Sequence, residues 1–394
     1  MISNRHIRWN RLYRRAFHRL AVVGLLLAGA VFSPVLHAQS PRTETTTGQP
    51  SAPARQTLRI LNWRYYIDFD DDLPEDLPAE ERSPTLRDFA EKFNCDIEYH
   101  EFDDFEDMSR KFSAIPGFHD IMMLSCTHTT SLVETGWLLT IPPEKIPNAV
   151  YLDTAVRYPP SDPSGTHLIP YLNDYMGILY RNDKIRLDSL SWNQFFDPPA
   201  EWAGHMALMD YGPDMFASTL IAGGVKEVDK ATREQIQQAQ ARIEHLAKNF
   251  FPVLADSPED MMVADEAIWI APVYASNAAQ VLRDNPQLSF FLPSGGTDYY
   301  HDYMVIHRET QHPDLAIAFL NYLLEPDVMG RISAYVNGDA PSAAARAIRN
   351  RLDPPLVPSA TDANGAPLPG MQVRYTFEPL YELLWVQAVA DLQD

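Results

Sequence analysis

A chain of 394 residues, 45% hydrophobic and 22% charged, can bury the core of two or three domains, so disorder is not its general state. A formal net charge of −21 argues against nucleic acid or an anionic membrane surface as a partner. It is compatible with a cationic partner without proving one.

The N-terminus places six arginines and no acid in residues 1–20, followed by the short apolar run LAVVGLLLAGAVF. Leu36-His37-Ala38 then precedes Gln39 as a cleavage site. This order reads as a secretory signal peptide over residues 1–38, its apolar part too short for a membrane span. Tyr13-Arg14-Arg15-Ala16-Phe17 loosely matches a twin-arginine export signal, and a Sec signal with a long basic front fits equally well. No cysteine follows the run, so a lipoprotein anchor is not expected. Cleavage removes those six positive charges and takes the net charge from −21 to −27.

Residues 39–56 are polar and rich in Pro and Thr, and read as a disordered linker. Leu58 and Ile60 then alternate as a first strand, which runs into Asn62-Trp63-Arg64-Tyr65-Tyr66. Three rings and a cation are unusual at a strand end, where Gly, Asn or Asp would be expected. In open α/β sheets ligands bind at the carboxyl ends of strands, so this stretch reads as an aromatic wall facing a site. The acidic loop 68–81 lacks the spacing and glycine of a calcium loop and reads as solvated surface.

Ser83-Pro84 starts a helix with Leu86, Phe89 and Phe93 on its buried face. Residues 95–102 alternate as a second strand, a helix is expected near 105–114, and 119–125 form a continuously apolar third strand. A helix near 129–137 completes a strand–helix repetition of the doubly wound type. Further strands are expected at 175–181, 206–209, 267–273, 288–292 and 303–306, with a short helix or turn at 192–196. Helices are expected at 231–249, 313–324 and 326–335, and a mostly helical end carries a Pro-rich interruption at 353–370. Cys95 begins one strand and Cys126 lies just past the end of another, opposite edges of a parallel sheet and beyond disulfide reach. Two buried thiols are expected.

Four pieces stand in a telling order: Asn62-Trp63-x-x-Tyr66-Ile67, Asp120-x-x-x-x-Ser125, Pro170-Tyr171 with Gly177 and Tyr180, and Ala316-x-x-Phe319-Leu320-Asn321-Tyr322-Leu323-Leu324-x-Pro326-Asp327-Val328. Over roughly residues 57–345 the chain resembles the periplasmic spermidine/putrescine-binding proteins of ABC transporters. The resemblance implies an α/β, two-lobed periplasmic-binding-protein clamshell of type II, with doubly wound sheets joined by crossover strands. Lobe I would comprise 57–170 and 291–345, and lobe II 171–290 and 346–394.

By motif position Trp63, Tyr66, Tyr274 and Tyr300 would clamp an aliphatic chain, and Ser125 would supply a hydroxyl. Asp302 and Asp214 would hold ammonium groups, with Asp174 in the crossover as a third acid. Asn277 stands where the family has an aspartate, Arg64 where a small hydroxyl residue is usual, and Tyr65 where an acid is usual. Each has a plainer reading: Asp214 as a helix cap, Ser125 as a turn residue, Arg64 as a solvent-facing cation.

The resemblance implies capture of a polyamine or related small amine for an inner-membrane ABC permease, by a monomer without cofactor or metal. A periplasmic sensor reporting to a membrane receptor, or a binder of a zwitterionic amino-acid-like ligand, remain alternatives. Asp214 and Asp302 could be drawn as the acid and base of a hydrolase. The sequence offers no G-x-S-x-G, H-E-x-x-H, Walker loop or Cys–His pairing to support an enzyme.

Overall fold

The computed structural model describes residues 55–102, 105–376 and 378–392. The expected signal peptide, and all but the last two residues of the expected linker, lie outside them. The first half runs β1 (Thr57–Trp63), α1 (Ala79–Arg82), α2 (Pro84–Phe93), β2 (Asp96–Phe102), α3 (Phe105–Ala114), β3 (Ile121–Ser125), α4 (Cys126–Glu134), α5 (Thr154–Arg157) and β4 (Ile169–Arg181). It continues through α6 (Trp192–Phe196), β5 (Ala207–Met209), α7 (Gly212–Ala222), α8 (Arg233–Phe250), β6 (Val253–Ala255), α9 (Pro258–Ala264) and β7 (Ile270–Tyr274). The remainder is α10 (Ala275–Leu282), β8 (Leu288–Phe291), β9 (Asp298–Ile306), α11 (Pro313–Leu323), α12 (Pro326–Val336), α13 (Ala343–Leu352), β10 (Gln372–Val373) and α14 (Pro379–Ala388).

β1 pairs in parallel with β2 and β3, and its alternating side chains bury both faces. Leu58 and Ile60 enter the first core with Phe89, Phe319 and Met304, while Leu61 packs in a smaller cluster on the opposite face with Phe102, Met122 and Val305. The helix before β2 starts where capping chemistry predicts: Ser83 Oγ accepts from Leu86 N at 3.2 Å, and Pro84 takes the first turn. Phe93, expected inside, is 38% exposed and stacks on Phe89 instead. The motif Ala316 to Val328 is structural: Ala316, Phe319, Leu320, Tyr322, Leu323, Leu324 and Val328 all lie in the first core.

The main sheet is mixed, in the order β2-β1-β3-β9-β4-β7. β4 begins at Ile169, six residues before the expected strand, and β9 begins at Asp298 rather than Tyr303. The extra residues pair the two strands with each other, antiparallel, from Ile169↔Met304 to Tyr175↔Tyr299. Both strands also pass from one core to another: Ile169 and Met304 pack with Phe319, whereas Ile178 and Tyr300 pack with Phe216 and Trp385. This is how two lobes share one sheet.

Beyond β9 the chain returns to the first core through α11 and α12, and α13 packs on α12 with Ala345 inside that core. The Pro-rich stretch then leads to β10, which pairs with β9 at Asp298 and Tyr299, and α14 packs on α7 and α8 in the second core. Cys95 and Cys126 are buried free thiols. No helix among the described residues is long and apolar enough to cross a membrane.

Gly296, with φ +106°, lets the segment before β10 lie against the start of β9, since a Cβ there would stand 2.0 Å from the Gly370 carbonyl oxygen. Gly296→Ala is expected to lower the unfolding free energy by about 2 kcal/mol or more, because strain and overpacking add. Urea denaturation measures this, and an unchanged midpoint would mean that these two backbones do not meet.

Candidate functional site

Alternate residues of β9 place Asp298, Tyr300, Asp302, Met304 and Ile306 on one face. Met304 and Ile306 belong to the first core and Tyr300 to the second. Asp302 lies between them, so the floor between the lobes is acidic. Ser125, at the end of β3, is the register partner of Asp302, and Asp174, on β4, is the partner of Tyr300. Asp302 and Asp174 are thus diagonal neighbours on adjacent strands, about 7 Å apart.

Both carboxylates are held by neutral donors. Tyr66 Oη donates to Asp302 Oδ2 at 2.6 Å, and the Ser125 hydroxyl adds a second hydrogen bond. Asp174 accepts from Ser276 Oγ at 2.5 Å, from Ser276 N at 3.2 Å and from Tyr175 N at 2.8 Å. Ser276 is in the first turn of α10, so Asp174 also satisfies a helix N-terminus. Burial nonetheless raises Asp302 to about 7 and Asp174 to about 6. The negative charge of Asp174 contributes to the rise at Asp302. Among the described residues neither carboxylate forms an ion pair. Two half-buried acids side by side therefore lack a counter-ion.

The strand end at Asn62 to Tyr66 is built to present Tyr66. Tyr65 takes a left-handed φ of 57°, a costly conformation for an aromatic residue. Asn62 offsets that strain from a buried position: its Oδ1 accepts from Trp63 N at 2.8 Å, and its Nδ2 donates to the Tyr66 carbonyl at 3.1 Å and to Tyr99 Oη at 2.9 Å. Tyr171 Oη donates to the same Tyr66 carbonyl at 2.7 Å, and the Tyr171 ring meets that of Tyr66 edge-on at 5.5 Å. Trp63 remains partly exposed, its ring 4.4 Å from Phe102. Arg64 is exposed and stands beside the Tyr65 side chain.

A second cluster lies farther along the same face. Tyr274, at the start of α10, donates to Asp214 Oδ2 at 2.5 Å and meets Tyr300 edge-on at 5.7 Å. Arg374 donates from Nη2 to Asp214 Oδ1 at 2.6 Å and from Nε to Asp298 Oδ2 at 2.6 Å. Tyr300 Oη donates to the same Asp298 oxygen at 2.8 Å, and the guanidinium lies 5.7 Å from the Tyr300 ring centre. Burial opposes the charge on Arg374, but Asp298, Tyr300 and Asp214 outweigh it and hold the guanidinium well above its ordinary range.

The structure thus brings Tyr66, Ser125, Asp174 and Asp302 together, and separately joins Asp214, Tyr274 and Tyr300. Asp214 is neither a cap nor a free acid: Tyr211 holds the cap position of α7, and Asp214 in its first turn is ion-paired. Asn277 donates to Glu259 Oε1 at 2.9 Å, toward α9. Asp120 braces the sheet, its Oδ2 accepting from Arg59 N at 2.8 Å. Sequence reasoning missed Arg374 and Asp298, which no local pattern marks, since their partners come from other elements.

A shared sheet, two cores and a ring-lined acidic floor between them define a two-lobed ligand-binding protein. The chain belongs to the bacterial extracellular solute-binding protein family, whose pattern matches residues 85–347. It is similar to the putrescine/cadaverine-binding protein of Pseudomonas aeruginosa, with 24% identity over 352 residues covering 85% of this chain and 91% of that one. It is also similar to the spermidine/putrescine-binding periplasmic protein of Escherichia coli, with 22% identity over 297 residues covering 75% and 80%. Its fold matches that of the spermidine/putrescine ABC transporter substrate-binding protein from Streptococcus pneumoniae, with a TM-score of 0.70 and 20% identity over 86% of this chain and 98% of that one.

Because Asp302 titrates near 7 when folded and near 4 when unfolded, its contribution to stability is fully present below about pH 4 and is lost as pH rises through about 7. In the unliganded protein at pH 8, Asp302→Asn is expected to raise Tm by about 2 °C or more, and at pH 4 by less. Calorimetric melting at the two pH values checks this. An equal change at both would remove the raised acid.

Proposed function

We propose that this protein captures a small amine of the putrescine or spermidine type outside the cytoplasm and passes it to an inner-membrane ABC permease. The observation that carries the reading is the Asp302–Asp174 pair, whose hydrogen-bond partners are all neutral. An ammonium group placed between them supplies the missing charge, and a buried acid gains most from a partner where water is scarce. Tyr66 and Trp63 on one side and Tyr274 and Tyr300 on the other offer ring faces to the alkyl chain and the cation, about 0.5–2 kcal/mol for each cation–π contact. Tyr66 and Ser125 come from the first lobe and Ser276 and Tyr274 from the second, so one ligand bridging them favours the closed state.

The relatives point the same way, being a putrescine/cadaverine-binding protein and a spermidine/putrescine-binding periplasmic protein. The reading is binding without chemistry. Asp214, the second carboxylate that an acid–base pair would need, is taken up by Arg374. The acidic character of the chain suits a cationic ligand, and the basic, apolar N-terminus suits export.

Calorimetric titration with putrescine, spermidine, agmatine and a panel of amino acids tests the reading. One amine is expected to bind saturably, and Asp302→Asn to weaken it at least tenfold. A response to amino acids alone, or none at all, would overturn it. A second outcome follows from the titration of the pair. Asp302 near 7 and Asp174 near 6 must both release their protons to solvent when the already protonated amine binds, so the Kd is expected to rise at least tenfold between pH 8 and pH 5. A flat profile over that range would show that neither carboxylate meets the amine.

A further inference from the structure

Resting on that reading of the site, we infer that Arg374 is a resident cation that occupies a second acidic station on the same face of β9 and restricts the ligand to a short mono- or diamine. The floor carries two stations along one face of β9. Asp302, with Asp174 diagonal to it, is the first, and Asp298, with Asp214 reaching in from α7, is the second. The Cα atoms of Asp302 and Asp298 are four residues apart on an extended strand, about 14 Å. Tyr300 stands between them.

The two stations differ in one respect. At the first, every hydrogen-bond partner of the carboxylates is neutral. At the second, the Arg374 guanidinium bonds to both carboxylates with side chains only 3%, 2% and 0% exposed for Arg374, Asp214 and Asp298. Tyr274 closes the station from outside by donating to the remaining Asp214 oxygen. Reaching two buried carboxylates at once is what a guanidinium does better than a ligand ammonium. The two carboxylates leave a net negative charge there, but both already bond the guanidinium, and an arriving ammonium would have to displace it from among side chains exposed by 3% or less. All the cationic charge of the ligand must then fall near Asp302 and Asp174. A triamine, with charge spread over a longer chain, cannot meet that condition.

The test uses the full chain and three probes: 1-butylamine, putrescine and spermidine. The first two are expected to bind at least tenfold more tightly than spermidine. Arg374→Gln leaves Asp214 and Asp298 without their cation, and is expected to shift the putrescine-to-spermidine preference at least tenfold toward spermidine. Arg374→Lys keeps a charge at the station and is expected to preserve the wild-type order. A merely structural role for Arg374 would weaken all three probes alike and leave their ratios unchanged. Spermidine binding as tightly as putrescine in the wild type overturns the inference, whether or not the Gln variant folds, while leaving amine capture intact. Failure of all three probes overturns both readings.

Discussion

Two half-buried carboxylates with no counter-charge among the described residues are the constraint on which this structure turns. Asp302 and Asp174 lie where the two cores meet, and the strands that carry them, β9 and β4, are the ones that join the lobes. Neutral donors soften the cost: a tyrosine and a serine hydroxyl for one, a helix N-terminus for the other. They do not cancel it, and both acids stay above the ordinary carboxylate range because of burial. The pair is therefore a local instability, and under the proposed function a bound amine would relieve it, so that binding and folding would draw on the same two groups.

The surroundings are stiff where this pair needs support. A left-handed turn at Tyr65 is pinned by Asn62 from below and aims the Tyr66 hydroxyl at Asp302. Two glycines, Gly296 and Gly370, bring the C-terminal return against the start of β9, in the stretch that leads to Arg374. Arg374 in turn ties β10 to Asp298 on β9 and to Asp214 on α7. The same acidic face thus holds one pair of carboxylates bonded to an internal guanidinium and one pair bonded only to neutral donors. The contrast between them is more informative about the ligand than the number of acids in the cleft.

The aromatic strand end, the doubly wound pattern, the buried motif from Ala316 to Val328 and the acid at Asp302 could all be read from the chain. Each is a local signal: alternation, capping residues, helical spacing, or several rings in a row. The ends of β4 and β9 were less legible. Residues such as Tyr171 and Tyr300 look alike whether they end a loop or pair across a crossover, and pairing decided the matter. Asp214 shows the limit most plainly. Its position in the chain suggests a ligand contact or a cap, yet its partner Arg374 lies 160 residues away, just past a strand of two residues.

The sequence by itself determined the class of fold, because that depends on composition and short-range periodicity, and it named candidate rings and acids without their partners. The tertiary structure decided which acids are free and which are spoken for. That depends on long-range pairing across β9, where one buried guanidinium bonds to two carboxylates and the next two have only neutral partners among the described residues.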